Sequence, residues 1–190
     1  MLHKVVQLGG KSYFWLEKTN VASMIQEYQV SGFRVREYEE LGSTNTEAER
    51  VGWSELEDKM VILTYRQTQG RGQGGNHWES EPGKNISMTV VFKLRELSAG
   101  QQFAVSMVIA LGACDFISRY VNRCSVKWPN DIYVGDRKIS GILIEHSIMG
   151  RYVGGSLCGI GVNINQERFL SDAPNPVSLF QLMSAPFCFS

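Results

Sequence analysis

Residues 131–164 constrain the fold more than any other part of the 190-residue chain. Ile132–Val134 and Arg137–Ser147 are strand-like runs that meet across Gly135-Asp136, a dipeptide suited to a hairpin turn. Met149-Gly150 turns the chain again into Tyr152–Ile164, a glycine-rich strand. Successive hairpins make neighbouring strands antiparallel. Val61–Tyr65, Ile86–Phe92 and Val126–Trp128 add further strand-like runs, and Phe33, Val35 and Glu37 alternate with Arg34, Arg36 and Tyr38 as on a half-exposed strand. Helices are expected between them. Thr44 with Glu47 fits a capping box. Ser98 with Gln101 fits another, ahead of Phe103, Met107, Ala110, Leu111, Cys114, Ile117 and Val121 at helical spacing, an apolar stripe expected in the core. Shorter helices are expected at Val21–Tyr28, after Thr19 and Asn20, and at Ser178–Met183, after a loop with Pro174 and Pro176. The expectation is an α+β fold, a mixed and largely antiparallel sheet flanked by helices. Residues 1–32 read as an N-terminal extension of no assigned role, and residues 33–190 as one domain.

Composition narrows the function classes. Lys+Arg and Asp+Glu balance at 19 each, so no global field points to nucleic acid or an acidic membrane. Any anionic ligand must be met by a local group of cations. The 4 cysteines, Cys114, Cys124, Cys158 and Cys188, form no CxxC pair and no ligand-like spacing with the 3 histidines. Cys114 and Cys158 read as small core residues, with no disulfide or zinc site expected. No segment reads as a signal peptide or as apolar enough to span a bilayer, so a cytoplasmic protein free of membrane is expected.

Gly70, Gly72 and Gly75 spell GxGxxG, the dinucleotide-binding pattern. That pattern works only when a helix opens directly after the loop and aims its N-terminus at a pyrophosphate. Here the loop continues through Asn76, His77, Trp78 and Pro82 into a strand, and no Gly-Lys-Ser/Thr follows. A surface loop is the plain alternative. Against it, Arg71 places a permanent cation among the glycines, and Trp78 offers a flat face suited to stacking a purine. Lys127-Trp128-Pro129-Asn130-Asp131 reads either as a strand end with a surface ion pair or as a nucleotide site. In the second reading Asp131 holds Mg²⁺ directly or through water, and Asn130 bonds phosphate or ribose. Lys138, after the hairpin turn, is by itself an ordinary solvated lysine; Gly141 beyond it leaves room for close ligand approach, with Ile142 and Ile144 beneath the sheet.

Gly70–Trp78 (GRGQGGNHW), Lys127–Asp131 (KWPND) and Lys138–Glu145 (KISGILIE) together resemble the biotin protein ligases. The resemblance runs from about Phe33 to Leu182, with the motifs in the family's order. It implies the catalytic fold that these ligases share with class II aminoacyl-tRNA synthetases. It also implies a two-step reaction: biotin and ATP give biotinyl-AMP, and biotin then passes to a lysine of a biotin carboxyl carrier protein, in acetyl-CoA carboxylase or another biotin-dependent carboxylase. ATP and Mg²⁺ are the implied cofactors. Lys138 and Arg71 would be catalytic. Ser43, Thr44, Asn45, Gln67, Arg71, Gly72, Gln73, Lys138 and Gly141 would bind biotin; Trp78, Lys127, Asn130 and Asn163 would bind the nucleotide; Asp131 would hold the metal. Asn163 lies in Gly159–Asn165 (GIGVNIN), similar to the family's late strand. Family members often carry an arginine where Gln73 stands and a basic residue near Asn76, so this loop has fewer cations but keeps its hydrogen-bond donors.

Other readings stay open. A lipoate or octanoate ligase would share the chemistry, but its Arg-Arg-x-x-Gly-Gly-Gly loop is absent. A DNA-binding repressor needs a winged helix, for which about thirty leading residues are too few. A truncated remnant would bind biotin or the adenylate and transfer poorly, since the small β-barrel module that ends other ligases is expected to be absent after Ser178-Leu179. Oligomeric state is left open.

Overall fold

The computed structural model describes residues 4–8, 11–15 and 23–187, and for the first two stretches the backbone pairing alone. Strands β1 (Lys4–Leu8) and β2 (Lys11–Trp15) form an antiparallel pair of their own. The domain is then built from β3 (Met24–Val30), β4 (Phe33–Tyr38), α1 (Thr44–Val51) and β5 (Met60–Thr64). A two-strand ribbon, β6 (Gly70–Arg71) and β7 (His77–Trp78), leads to β8 (Ile86–Phe92) and α2 (Phe103–Ser118). Strands β9 (Cys124–Lys127), β10 (Asp131–Val134), β11 (Arg137–Met149) and β12 (Tyr152–Val162) precede the short α3 (Leu179–Met183).

Eight strands form one sheet in the order β3-β4-β5-β8-β12-β11-β10-β9. Only β4 and β5 pair in parallel, because α1 carries the chain back between them; every other neighbour is antiparallel. The mixed, largely antiparallel α+β fold is therefore the one expected, and the turns at Gly135 and Gly150 have the positive φ (63° and 62°) that glycine takes at little cost.

Side chains on a strand alternate between faces. On one face, Val90 of β8, Ile142 of β11 and Cys158, Ile160 and Val162 of β12 join Ile109 and Ile117 of α2 in the main core. On the other, Ile62, Val91 and Leu157 pack with Ala48 of α1. Each fully buried aliphatic side chain contributes about 1.5–3 kcal/mol relative to exposure, so the hydrophobic clusters pin the sheet between its two helical layers.

Several local expectations need correction. Met24–Tyr28 is strand, where a helix was expected, and Val21 and Ala22 lie outside the described residues. The spacing of Met24, Ile25 and Tyr28 suits a helix, but the two-residue turn Ser31-Gly32, with φ of 49° and 81°, folds the segment back onto β4 as a hairpin. The boundary expected at Phe33 thus cuts that hairpin. On α2, Phe103, Met107 and Leu111 are exposed, whereas Val105, Ile109, Ala110 and Ile117 are buried. Because α2 is apolar nearly all round, spacing alone does not select its inner face. Ala99–Ser118 is also long and apolar enough to cross a membrane by length and composition, contrary to the sequence reading; in the structure it packs on β9, β10 and β11. Cys158 is buried as expected; Cys114, half-buried, has its Sγ 2.9 Å from Cys124 Sγ, both being free thiols.

Candidate active site

The site lies on the α1 face of the sheet, where β8, β12 and β11 present small residues. The register aligns Ser87, Gly161 and Gly141 in one row and Thr89, Gly159 and Leu143 in the next. Absence of side chains on this bed is required by what lies on it. A Cβ on Gly159 would come within 2.5 Å of Asn45 Oδ1, and one on Gly141 within 2.7 Å of the Trp78 indole. A Cβ on Gly161 would meet the indole nitrogen. The Trp78 ring therefore spans a cross-strand glycine pair.

The glycine motif is a small hairpin over this bed. Gly70 pairs with Trp78 and Arg71 with His77, and the turn uses positive φ at Gly74 (67°) and Gly75 (84°). It runs on into β8, so no helix N-terminus faces a pyrophosphate.

The start of α1 closes one end. Ser43 is the N-cap but makes no side-chain cap bond, and the Thr44–Glu47 box does not form; Glu47 instead bonds Arg50. Freed from capping, the polar groups are used inward. Thr44 N–H donates to Gln67 Oε1 at 2.9 Å, satisfying a donor that a helix start leaves unpaired. Thr89 Oγ1 lies 2.5 Å from Asn45 Oδ1 and 2.8 Å from Thr44 Oγ1. An amide oxygen only accepts, so the Thr89 proton goes to Asn45. Asn45 Nδ2 donates to Glu145 Oε2 at 2.7 Å and to Leu143 O at 3.3 Å. Thr44, Asn45, Gln67 and Thr89 are all buried.

Charge enters through ion pairs. Lys138 Nζ is 2.6 Å from Asp131 Oδ1 and 5.7 Å from the centre of the Trp78 ring. Backbone bonds from Lys138 N to Asn175 O and from Val177 N to Lys138 O fix the lysine's position. Arg71 contacts Glu145 Oε1 at 2.5 Å and Glu49 Oε1 at 3.4 Å. Burial opposes the Arg71 charge, but Glu145 and Glu49 more than offset it and raise its pKa above the ordinary value.

Two cavities meet here. The inner one is lined by all nine expected biotin residues (Ser43, Thr44, Asn45, Gln67, Arg71, Gly72, Gln73, Lys138 and Gly141), with Asn130, Asp131 and Trp78. The outer one, about 480 Å³, is lined by Trp78, Lys138 and Asn163 with the loop Phe169–Pro176. Trp78 and Lys138 line both. Asn163 Oδ1 is buried without a hydrogen-bond partner, although its Nδ2 bonds Val177 O. Lys127 is not brought to either cavity: it points along the outer strands to Tyr133 OH at 3.3 Å. Trp128 likewise packs against Phe103 of α2.

Sequence reasoning missed four contributors. Ser87 and Thr89 look like ordinary strand residues, and only their opposition to Gly161 and Gly159 marks them. Glu145 reads merely as the end of a motif. Glu79 accepts bonds from Gln166 Nε2 and from Leu170 and Ser171 N–H, tying down the outer cavity's loop. Burial alone would raise its pKa, but hydrogen bonds from Ser171, Leu170 and Gln166 hold it below the usual carboxylate value.

The sequence profile of the Biotin/lipoate A/B protein ligase family matches residues 38–163, which hold nearly all of this machinery. The chain belongs to that family. Among relatives, the bifunctional ligase/repressor BirA of Escherichia coli K12 is 29% identical over 167 residues, covering 86% of this chain and 51% of BirA. The biotin–[acetyl-CoA-carboxylase] ligase of Paracoccus denitrificans is 33% identical over 124 residues, covering 64% of this chain and 51% of the relative. The chain thus spans about half the length of these relatives. The fold matches biotin protein ligase from Aquifex aeolicus in complex with biotin and ATP, with a TM-score of 0.67 at 23% identity, over 81% of this chain and 62% of that one.

Proposed function

We propose that this chain joins biotin to ATP as biotinyl-AMP and then passes the biotinyl group to a lysine of a biotin carboxyl carrier protein, in acetyl-CoA carboxylase or another biotin-dependent carboxylase. The observation that carries the reading is the junction of the two cavities at Trp78 and Lys138. An adenylate has two lobes with a phosphate between them. The inner cavity offers buried amides and hydroxyls (Asn45, Gln67, Thr44, Ser43) to a ureido ring, and the outer one offers Asn163 and the Trp78 ring to a nucleotide.

In the first step a biotin carboxylate oxygen bonds to the α-phosphorus and pyrophosphate leaves. In the second, the carrier amine attacks the acyl carbon and AMP leaves. Both reacting groups of the first step are anions, so fixed cations at the junction lower the barrier by meeting charge that grows on the phosphoryl oxygens. Lys138, at the junction, would do that, and Arg71, which lines the inner cavity, would be the second cation. No group of three His, Cys, Asp or Glu that could cage a metal is present among the described residues. Mg²⁺ accompanying a nucleotide draws most ligands from phosphates and water and needs one or two carboxylates. Asp131, a half-buried carboxylate lining the inner cavity beside Lys138, fits that role, and the bound ion would supply charge neutralisation on the phosphates.

Biotin should support exchange of labelled pyrophosphate into ATP, and octanoate or lipoate should not. Exchange driven equally well by octanoate would overturn the ligand assignment. Trp78→Ala should weaken nucleotide or adenylate binding by roughly 1–3 kcal/mol, the range for base–aromatic stacking, and biotin binding by less. Calorimetric titration of each ligand checks this; equal losses would mean that the hairpin had collapsed.

A further inference from the structure

Gly70–Trp78 contains one arginine and no lysine, so Arg71 is the hairpin's single permanent cation. Its guanidinium reaches across to Glu145 on β11, at 2.5 Å, while its contacts to Glu49 and Thr46 on α1 are longer, at 3.4 Å. Glu145 divides its carboxylate: Oε1 takes Arg71 Nη2 and Oε2 takes Asn45 Nδ2. The same residue therefore touches the hairpin above the bed and the buried amide at the end of the inner cavity. Glu145 lies in the register row of Leu157, one row beyond Gly159, outside the lining of both cavities. It does not reach a ligand itself. Both Nη atoms of Arg71 are engaged in these contacts.

We propose that Glu145 is a positioning residue that pins the glycine hairpin over the inner cavity through Arg71 and fixes the Asn45 amide at that cavity's end. Groups held in place before the ligand arrives lose less entropy on binding, and a water-sensitive anhydride needs its cover to stay closed. Of the two carboxylates that Arg71 meets, Glu145 is the nearer, at 2.5 Å against 3.4 Å for Glu49. The ion pair is partly exposed, with 28% of the Glu145 side chain accessible, so it contributes little to global stability and acts locally on the hairpin. The proposal builds on the adenylate reading, but its first test needs no ligand.

Hydrogen exchange of the 70–78 amides in the free protein reads the hairpin directly. Glu145→Gln keeps an oxygen for Asn45 but removes the charge facing Arg71; it should speed exchange there about tenfold and leave the β8 and β12 amides unchanged. Arg71→Gln approaches the same contact from the hairpin side and should do likewise. If each acts through the other, the double variant should exchange no faster than either single one. Release of preformed biotinyl-AMP should also quicken about tenfold in Glu145→Gln, with an unchanged melting temperature. Exchange within twofold of the wild type in Glu145→Gln, or single effects that multiply in the double variant, would overturn the proposal. A loosened hairpin in a protein that gives no biotin-dependent pyrophosphate exchange would reject the ligase reading and leave this one standing.

Discussion

Lys138→Ala should lower biotin-dependent pyrophosphate exchange by about two to three orders of magnitude while the protein stays folded. Removing one preorganised donor that meets transition-state charge costs about 2.7–4 kcal/mol. At Lys138 a second effect adds to the first. Its Nζ is 2.6 Å from Asp131 Oδ1, so truncation leaves a bare carboxylate in the inner cavity, beside the junction where the proposed reaction brings the phosphates and the biotin carboxylate together. The fold should not suffer, because the segment is held by backbone bonds to Asn175 and Val177 that alanine keeps. Melting temperature and exchange rate measured together decide the matter. A folded variant with near-normal exchange would reduce Lys138 to a solvated hairpin lysine.

The site was legible where chemistry and spacing coincide in one short segment. Arg71 among glycines, Asp131 after Asn130 and Lys138 behind a turn all line the inner cavity. Lys127 is the exception. It sits in the same five-residue motif and pairs directly with Asp131, but β9 is the edge strand, one strand further from the glycine bed, and the Lys127 ammonium turns to Tyr133. A motif match does not reveal how far from a site the sheet will place a residue. Thr89 and Glu145 escaped for the complementary reason. Their roles exist only through register: Thr89 faces Gly159 across β8 and β12, and Glu145 reaches Asn45, 100 positions earlier in sequence. The fold class followed from the hairpin turns, since a turn signal fixes the direction of the next strand whatever lies elsewhere. The α2 face did not follow, because a helix apolar on most sides lets the sheet decide which residues are buried. Thr44 shows the same limit in miniature. Its spacing to Glu47 matches a capping box, yet the folded chain offers it Gln67 and Thr89 as partners.

Gly161→Ala should cost about two orders of magnitude in adenylate formation with little change in stability. A Cβ at Gly161 would strike the Trp78 indole nitrogen and neighbouring ring atoms, while Gly141 already limits the ring on its other edge. The indole must rise by roughly an ångström to restore ordinary contact, and a misplacement of about 1 Å at a reacting centre can cost 10²-fold in rate. Since Trp78 lines both cavities, lifting it displaces their shared wall. Stability should change little. Gly161 is not among the glycines with positive φ, so its backbone accepts alanine. An interior strand glycine is destabilising by roughly 0.5–1 kcal/mol relative to alanine, which offsets part of the cost of moving the indole. The double variant Gly161→Ala, Trp78→Ala isolates the cause. If the collision with the indole is what matters, the pair should be no worse than Trp78→Ala alone, because the methyl group then has nothing to strike. Losses that multiply in the double variant would place the defect in the ligand bed itself, and near-normal exchange by Gly161→Ala would show that the indole does not need the glycine pair beneath it.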